Sequence, residues 1–352
     1  MASGSELRIP SLDGIRGLAA LTVFVSHVGL RDIIPGGFGV TVFFFLSGFL
    51  ITTLLRREWD KSRDISLKHF YLRRAFRIWP PMYIVLLILM IPWVNGMTQN
   101  PTTPAALAAQ FLQYTNYYII VASDAHLVPG ACPMWSLAVE EHFYLMFPVA
   151  LLFLLRRCSL EQTVKVLLGV CGLVLLWRCV LVFGFGFDEG YTFLATDTRL
   201  DSILYGCVMA LAANPAMDRD VLPFGERFWM GAVVAGLAVL GFCFVYRDAQ
   251  FRETFRYTLQ GLALVPLFFA AIRYSHWPIF RWLDWAPMRA MGLISYTFYL
   301  IHIAALAIVE RYVEGPWLVH ASLGFAASVA FSAAMYFLVE RHMAALRRRF
   351  HG

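Results

Sequence analysis

The sequence predicts an all-α polytopic membrane protein with about ten transmembrane helices. Of its 352 residues, 59% are hydrophobic and only 15% are charged, whereas soluble domains have about 45–50% apolar and about 25% charged residues. The apolar residues form continuous blocks of roughly 18–22 residues, the length that crosses a bilayer as a helix. They do not alternate with polar residues as in a membrane strand barrel. The composition therefore excludes a soluble globular protein, a disordered chain and a nucleic-acid-binding domain.

Ten such blocks follow one another along the chain, and each is predicted to form one helix. Their approximate limits are 12–30, 37–55, 78–94, 134–155, 164–184, 192–213, 228–246, 257–273, 290–309 and 317–339. The sequence shows no internal repeat and no appended soluble domain, and the first block lacks the cleavage site that ends a signal peptide. We therefore expect residues 1–352 to form a single membrane-embedded domain.

The basic residues predict how the chain is oriented in the membrane. Eight Lys or Arg residues lie between positions 56 and 77, and none lies between 95 and 133. By the positive-inside rule, the first segment is cytoplasmic and the second is outside. Ten spans then place both termini in the cytoplasm of a multi-pass protein of the inner (plasma) membrane. Basic residues near both ends agree with this orientation, namely Arg8, Arg341, Arg347, Arg348 and Arg349.

Two ionisable residues of the first block share one helix face. Arg16 and His27 are eleven residues apart, which is three turns and about 20° of a helix, or about 16 Å along its axis. An ionisable side chain within a span costs about 2.5–3.5 kcal/mol and usually faces a site or pathway inside the bundle. Asp13 is a local ion-pair partner for Arg16. His27, in the outer third of the membrane, is the candidate catalytic base.

Two adjacent carboxylates, Glu140 and Glu141, lie near the outer end of the fourth block. Neighbouring residues point about 100° apart on a helix, so only one of them is expected to face the same cavity as His27. The predicted orientation puts both at the depth of His27. A carboxylate that fixes the tautomer of an imidazole and raises its basicity is a common support for a general base. We therefore predict a catalytic role for one of Glu140 and Glu141.

An arginine pair marks the inner mouth of the predicted bundle. Arg74 and Arg77 are i,i+3 neighbours on one helical face. Ordinary positive-inside charge explains most of the basic residues around them. A same-face pair at a bundle mouth also suits phosphate, because guanidinium groups bind phosphate through two parallel hydrogen bonds. Arg74, Arg77 and Arg16 are therefore the candidate donor-binding residues.

Further polar residues are predicted at the outer depth of the membrane. Asp197 and Arg199 lie in the sixth block and His302 lies in the ninth. An Asp197–Arg199 ion pair or a core hydrogen bond of His302 would explain each of them separately, but together they suggest one polar layer. Ser295 and Tyr299 are weaker candidates for lining the same cavity. The six cysteines are scattered without a C-x-x-C pair, so we expect neither a disulfide framework nor a metal site.

At these residues the sequence resembles the acyltransferase 3 family of integral-membrane acyltransferases. Five motifs carry the resemblance, and they occur in order from residue 9 to about 305. They are R-x10-H (Arg16 to His27), G-x-x-x-F-F-x-L-S-G-F-L-I (Gly39 to Ile51), R-x-x-R-I-x-P-P (Arg74 to Pro81), W-S-L-x-x-E-x-x-F-Y (Trp135 to Tyr144) and S-Y-x-x-Y-L-x-H (Ser295 to His302).

The resemblance implies transfer of an acyl group, often acetyl, from cytoplasmic acyl-CoA to a hydroxyl of a sugar in a surface polysaccharide, glycolipid or similar glycoside. Acyl-CoA, a sugar-containing acceptor and membrane lipid would then be the partners, with acyl-CoA as a co-substrate and no bound cofactor. His27 would act as general base or form an acyl-His27 intermediate, and the sequence does not separate the two routes. Some relatives carry an additional C-terminal SGNH hydrolase-like domain, which we do not find up to Gly352.

Three other functions are compatible with parts of the sequence. A transporter or flippase of a glycan or lipid precursor would also show ionisable residues inside its spans, although it often shows internal repeats. The spacing of His27 and Asp32 matches the H-x4-D motif of glycerolipid acyltransferases, but those enzymes carry it on a mostly soluble domain. A serine hydrolase is disfavoured because the sequence has no G-x-S-x-G motif.

Overall fold

The computed structural model describes residues 9–30, 33–95, 102–218 and 224–347. Within these ranges every regular element is a helix. The α-helices, in chain order, are α1 (Pro10–Val25), α2 (Gly36–Ser62), α3 (Leu67–Val94), α4 (Pro104–Phe111), α5 (Thr115–Ala122), α6 (Met134–Arg157), α7 (Leu160–Cys179), α8 (Glu189–Thr192), α9 (Thr196–Ala212), α10 (Glu226–Val245), α11 (Ala249–Glu253), α12 (Phe255–Arg273), α13 (Ala286–Tyr312), α14 (Trp317–Met335) and α15 (Arg341–Arg347).

Each of the ten predicted blocks coincides with one of the ten longest helices in the described ranges, so the predicted all-α architecture is confirmed. In the described ranges, eight helices are long and apolar enough to cross a membrane. The two exceptions are α1 and α9, with 16 and 17 residues. These are the helices that carry Arg16 and the Asp197–Arg199 segment. A short helix with charged residues needs protein on most sides, because lipid cannot solvate those residues.

The long helices divide into a buried centre and a lipid-facing periphery. The apolar windows of α2 and α13 are 72% and 67% buried, whereas those of α10 and α14 are 28% and 22% buried. Helix α1 packs against both α2 and α13, and α9 packs against α2, α7 and α12. The two short, polar helices therefore belong to the centre of the bundle. The exposed apolar side chains of the periphery are suited to lipid acyl chains.

Glycines bring the central helices into close contact. A Cβ atom added at Gly48 on α2 or at Gly206 on α9 would clash with a backbone carbonyl of the other helix. The same holds for Gly14 on α1, which packs against the turn before α13, and for Gly292 on α13, which packs against α1. Small residues permit this approach in membrane bundles, where close backbone packing stabilises helix association. The result is a compact centre in which side chains of α1, α2, α6 and α13 meet.

The structure corrects the predicted loops on both sides of α3. The predicted basic loop over 56–77 consists of residues 63–66 alone, because α2 continues to Ser62 and α3 begins at Leu67. Arg63, with a φ of 54°, ends α2, and the Ser66 side chain caps α3 by accepting from the His69 N–H. The region predicted as one long outer loop contains α4 and α5. These have eight residues each, about 12 Å in length, which is too short to span a bilayer.

The C-terminal end of α1 departs from regular α-helix. Residues Ser26–Leu30 form a wider π-type turn, in which Val28 and Gly29 leave helical backbone angles. Gly29 has a φ of +89°, a conformation that favours glycine. Such single-turn π segments are frequent at functional sites. Here the turn holds His27 just beyond the regular helix.

Candidate functional site

A cavity of about 100 Å³ lies in the centre of the bundle, between α1, α2, α3, α6 and α13. Its polar lining comes from all five helices, which the central packing brings together. These polar residues are Arg16, Ser47, Arg74, Arg77, Ser136, Glu140, Tyr144, Ser295, Tyr296 and Tyr299. The predicted donor residues Arg16, Arg74 and Arg77 thus share one space, as do the two weaker candidates Ser295 and Tyr299.

Three arginines give the cavity a concentrated positive charge. Arg16 forms an ion pair with Asp13 at 3.8 Å. Arg74 lies over the rings of Phe70 and Tyr144, at 5.8 and 5.7 Å from the ring centroids. In the described part of the chain, no carboxylate lies within 4.0 Å of the guanidinium group of Arg74 or Arg77. Guanidinium groups without a paired carboxylate can bind an anionic ligand through two parallel hydrogen bonds.

Among the described residues that line the cavity, Glu140 is the one carboxylate. It accepts a hydrogen bond from the Ser47 hydroxyl, which in turn accepts from the Tyr144 hydroxyl at 3.1 Å. Glu141 points to another side of α6 and accepts from the indole N–H of Trp79 at 3.4 Å. The structure therefore shows that Glu140, not Glu141, faces the arginine cavity. When ionised, this carboxylate offsets part of the arginine charge.

His27 lies outside this cavity, at the exposed end of α1. Its Nδ1 is 2.8 Å from the carbonyl oxygen of Val23 and 3.4 Å from the Ser26 hydroxyl. Because a carbonyl oxygen can only accept, the proton of a neutral His27 is on Nδ1. Its Nε2 then carries a lone pair. A general base needs an unprotonated, accessible nitrogen, and the Nδ1–H tautomer of His27 provides one at Nε2.

The predicted pairing of His27 with a glutamate is wrong in this structure. Glu140 and Glu141 contact Ser47 and Trp79, and the side chain beside His27 is His302, whose Nε2 lies 3.4 Å from the His27 Nδ1. The expectation of equal depth also fails. Ser136 on α6 contacts Tyr299, one turn from His302, and Glu140 is a further four residues along α6, about 6 Å deeper. The depths of Glu140 and His27 differ because the helices cross and because the turn at Ser26–Leu30 extends α1.

A short series of contacts connects the cavity with His27. The hydroxyl groups of Ser136 and Tyr299 both line the cavity and are 2.8 Å apart. The backbone carbonyl of Tyr299 is 2.6 Å from the Nδ1 of His302. His302 then contacts His27. Helix α13 therefore presents Tyr299 to the cavity and, one turn later, His302 to the imidazole of α1.

Asp197 and Arg199 contact residues other than His27 and His302. Asp197 accepts from the indole N–H of Trp177 at 2.7 Å and from the Tyr117 hydroxyl at 3.0 Å. Arg199 is fully buried, donates to Thr41 at 2.8 Å and lies 4.1 Å from the ring centroid of Tyr257. Neither residue lines the arginine cavity. The alternative explanation, an Asp197–Arg199 ion pair, is therefore not formed, and in the described part of the chain neither residue hydrogen-bonds with His27 or His302.

The structure also identifies polar residues that the sequence argument missed. Arg178 and Asp201 form a fully buried ion pair with two hydrogen bonds, of 2.8 and 2.7 Å. Ser47, Ser136 and Tyr144 line the cavity, although each stands inside a motif that was recognised as a whole. Their positions within those motifs could have identified them as candidates for lining the site. Asp32 of the H-x4-D alternative lies outside the described residues, as do Arg8, Arg348 and Arg349.

Comparisons with known proteins agree with the motifs. A family profile for the acyltransferase 3 domain, described as "Acyltransferase domain", matches residues 9–337. The chain is 28% identical over 324 residues to the peptidoglycan O-acetyltransferase OatA of Listeria monocytogenes, covering 88% of this chain and 51% of that protein. It is 27% identical over 311 residues to the O-acetyltransferase OatA of Staphylococcus aureus, covering 86% and 51%.

A putative O-acetyltransferase of Staphylococcus aureus is 25% identical over 312 residues, covering 86% of this chain and 52% of that protein. The chain thus spans about half the length of the curated relatives it matches. No solved structure matches the chain.

Proposed function

Because this chain belongs to the acyltransferase 3 family, we propose that it transfers an acyl group, most simply acetyl, from acyl-CoA to a sugar hydroxyl of a surface glycan. Relatives named as O-acetyltransferases, one of them acting on peptidoglycan, support the acyl group and the class of acceptor. The observation that carries the proposal is the arrangement along α1. An arginine-lined cavity surrounds Arg16, and an imidazole with an available Nε2 stands at His27.

The arginine cavity is the proposed site for the anionic end of the donor. Arg16, Arg74 and Arg77 present three guanidinium groups to the cavity, and Glu140 is the one carboxylate among its described lining residues. The volume of the cavity is about 100 Å³, which is smaller than the roughly 300–1,000 Å³ of pockets that enclose whole small molecules. The cavity therefore has room for phosphate groups but not for all of acyl-CoA. The flexible arm of the donor would extend from it along α1.

His27 is the proposed base, and the distance along α1 sets where the thioester must lie. Arg16 and His27 are eleven residues apart, about 16 Å along the axis. An extended donor held by its phosphates at Arg16 would carry its thioester in the direction of His27. The Nε2 of His27 takes the proton of the acceptor hydroxyl, whose oxygen attacks the thioester carbonyl. The C–S bond breaks, and the leaving thiolate takes the proton from the imidazolium, so that ester and free CoA are the products.

The proposed orientation puts the donor on the cytoplasmic side of an inner (plasma) membrane. The basic residues at 56–77 are inside by the positive-inside rule, and the segment that precedes α6 is outside. Both termini are then cytoplasmic. Donor and acceptor enter from opposite faces, so the CoA itself does not cross the membrane.

Single-cysteine labelling in intact cells tests this orientation, after replacement of the six native cysteines. Ser62 and Ala125 are both exposed positions on the described surface. Ala125→Cys should react with a membrane-impermeant reagent from outside, and Ser62→Cys should not. The reverse labelling pattern would overturn the orientation and with it the assignment of each substrate to a face.

Acyl chemistry itself is tested with purified protein. The protein in detergent is given acetyl-CoA with a radiolabelled acetyl group and a soluble peptidoglycan fragment. We expect free CoA thiol and labelled glycan to form in equal amounts. A protein that only carries a glycan or lipid precursor across the membrane would form neither product, and that result would favour the transporter alternative.

A further inference from the structure

We propose that His302 is a positioning residue for His27: its ring fixes the orientation of the His27 imidazole and accepts from its Nδ1–H when Nε2 takes up a proton. The inference rests on the proposed role of His27 as base. It assigns to a second imidazole the task that a carboxylate performs in a Ser-His-Asp triad.

The hydrogen-bond geometry determines which nitrogen of each ring carries the proton. The Nδ1 of His302 is 2.6 Å from the carbonyl oxygen of Tyr299, so this nitrogen is the donor. The Nε2 of a neutral His302 is consequently an acceptor, and it lies 3.4 Å from the His27 Nδ1. The Nδ1–H of His27 is therefore directed to the Val23 carbonyl at 2.8 Å, and the His302 lone pair and the Ser26 hydroxyl are longer partners, both at 3.4 Å.

Packing holds His302 in place much more firmly than His27. His302 is 1% exposed, and its ring is stacked on Phe298 at an interplanar angle of 10°. Phe24 of α1 lies against the same ring, with centroids 6.5 Å apart. The His27 and His302 rings meet edge to face, with centroids 5.0 Å apart and an interplanar angle of 66°. A fixed ring beside an exposed one restricts how the exposed ring can turn.

Among the described residues, His302 is one of three acceptors near the His27 Nδ1, with the Val23 carbonyl at 2.8 Å and the Ser26 hydroxyl at 3.4 Å, and it is the one that lies on another helix. In the described ranges, no carboxylate hydrogen-bonds with either ring. When His27 is protonated, its positive charge is on the exposed ring, where water can solvate it. The buried ring of His302 stays neutral and keeps its Nε2 lone pair towards His27. A neutral acceptor of this kind orients the base without holding a permanent counter-charge beside it.

A pair of conservative variants tests the inference. The terminal amide of Gln occupies about the position of the His Nε2, and that of Asn about the position of the Nδ1. His302→Gln therefore retains a polar atom towards His27, and His302→Asn retains only the contact with Tyr299. We expect His302→Leu and His302→Asn to lower kcat by roughly tenfold to 100-fold, with the KM of both substrates changed less than about twofold. His302→Gln should recover most of the wild-type kcat.

Equal kcat values for the Gln and Asn variants, or a wild-type kcat for His302→Leu, would overturn the inference. Thermal unfolding in detergent identifies any variant that fails to fold. Wild-type protein with ¹⁵N-labelled histidine gives an independent check: the His27 signal, assigned by its loss in His27→Ala, should be that of the Nδ1–H tautomer. The Nε2–H tautomer would contradict the geometry. An active His27→Ala variant would instead remove the proposed function, so the two failures are distinct.

Discussion

The two ends of α1 present different chemistry. At one end, Arg16 shares a cavity inside the bundle with Arg74, Arg77 and Glu140, where formal charges dominate. At the other end, His27 stands at an exposed turn, held by the Val23 carbonyl and beside a buried ring. The first arrangement suits binding of an anion, and the second suits transfer of a proton at a fixed nitrogen. The contrast indicates that binding and chemistry are separated along a single helix.

The separation has a physical reason. A general base must alternate between neutral and protonated forms, and three guanidinium groups nearby would disfavour the protonated form. Placing His27 about 16 Å from Arg16 along α1 reduces that repulsion. The backbone carbonyl of Val23 then fixes the tautomer without adding a charge. Variants at each end should therefore affect different kinetic constants.

The largest effect is expected at the imidazole end. His27→Ala should lower kcat by roughly 10²- to 10⁴-fold, the contribution typical of a general base, with little change in the KM for acyl-CoA. Steady-state transfer by the purified variant measures both constants. His320 provides the matched control, because its imidazole contacts the Val313 carbonyl at 2.9 Å, away from the site. His320→Ala should keep wild-type turnover. If His27→Ala retains a tenth or more of wild-type turnover, His27 does not take part in the chemistry.

A smaller effect, on a different constant, is expected at the arginine end. Replacing Arg74 or Arg77 by Gln should raise the KM for acyl-CoA by roughly tenfold to 100-fold, because a charge-assisted hydrogen bond contributes about 1.5–3 kcal/mol. The kcat should change less than the KM. A short thioester donor without the 3′-phospho-ADP portion should not be affected. Equal losses with both donors would mean that the arginines serve folding or topology instead.

The two glutamates give the smallest and most discriminating effect. Glu140 adds negative charge to the cavity that would bind the donor phosphates, and Glu141 faces Trp79. Glu140→Gln should therefore lower the KM for acyl-CoA by roughly threefold to tenfold, because it removes a repulsion within the cavity. Glu141→Gln is the neighbouring control and should change the KM by less than twofold. A loss of kcat in Glu140→Gln as large as that in His27→Ala would instead place the carboxylate in the chemistry.

Sequence patterns predicted the helical fold and the grouping of Arg16, Arg74 and Arg77 in one place. Block length and hydropathy identified all ten long helices, and the family match confirmed the resemblance drawn from five motifs. The arginines could be placed because two of them are i,i+3 neighbours on one helix, a purely local relation. Arg16 joins them because α1 and α3 both line the central cavity.

The histidine end could be predicted only in part. The eleven-residue spacing placed His27 on the same helix face as Arg16, but its partner depends on how α1 crosses α13. That crossing depends on close packing at Gly17 of α1 and Gly292 of α13, which no spacing in the sequence reveals. The depth of a residue along its own helix does not give its contacts with other helices. Sequence reasoning therefore assigns one of Glu140 and Glu141 to His27, whereas the structure places Glu140 with Ser47 and Glu141 with Trp79.

Direct binding of CoA tests the division of roles along α1 most simply, because it needs neither acceptor nor turnover. Titration calorimetry on detergent-purified protein would compare wild type, His27→Ala and the double variant Arg74→Gln/Arg77→Gln. We predict that His27→Ala binds CoA with a Kd within twofold of wild type, and that the double variant weakens Kd at least tenfold, about 1.4 kcal/mol. Weakened binding in His27→Ala together with wild-type binding in the arginine variant would contradict the account.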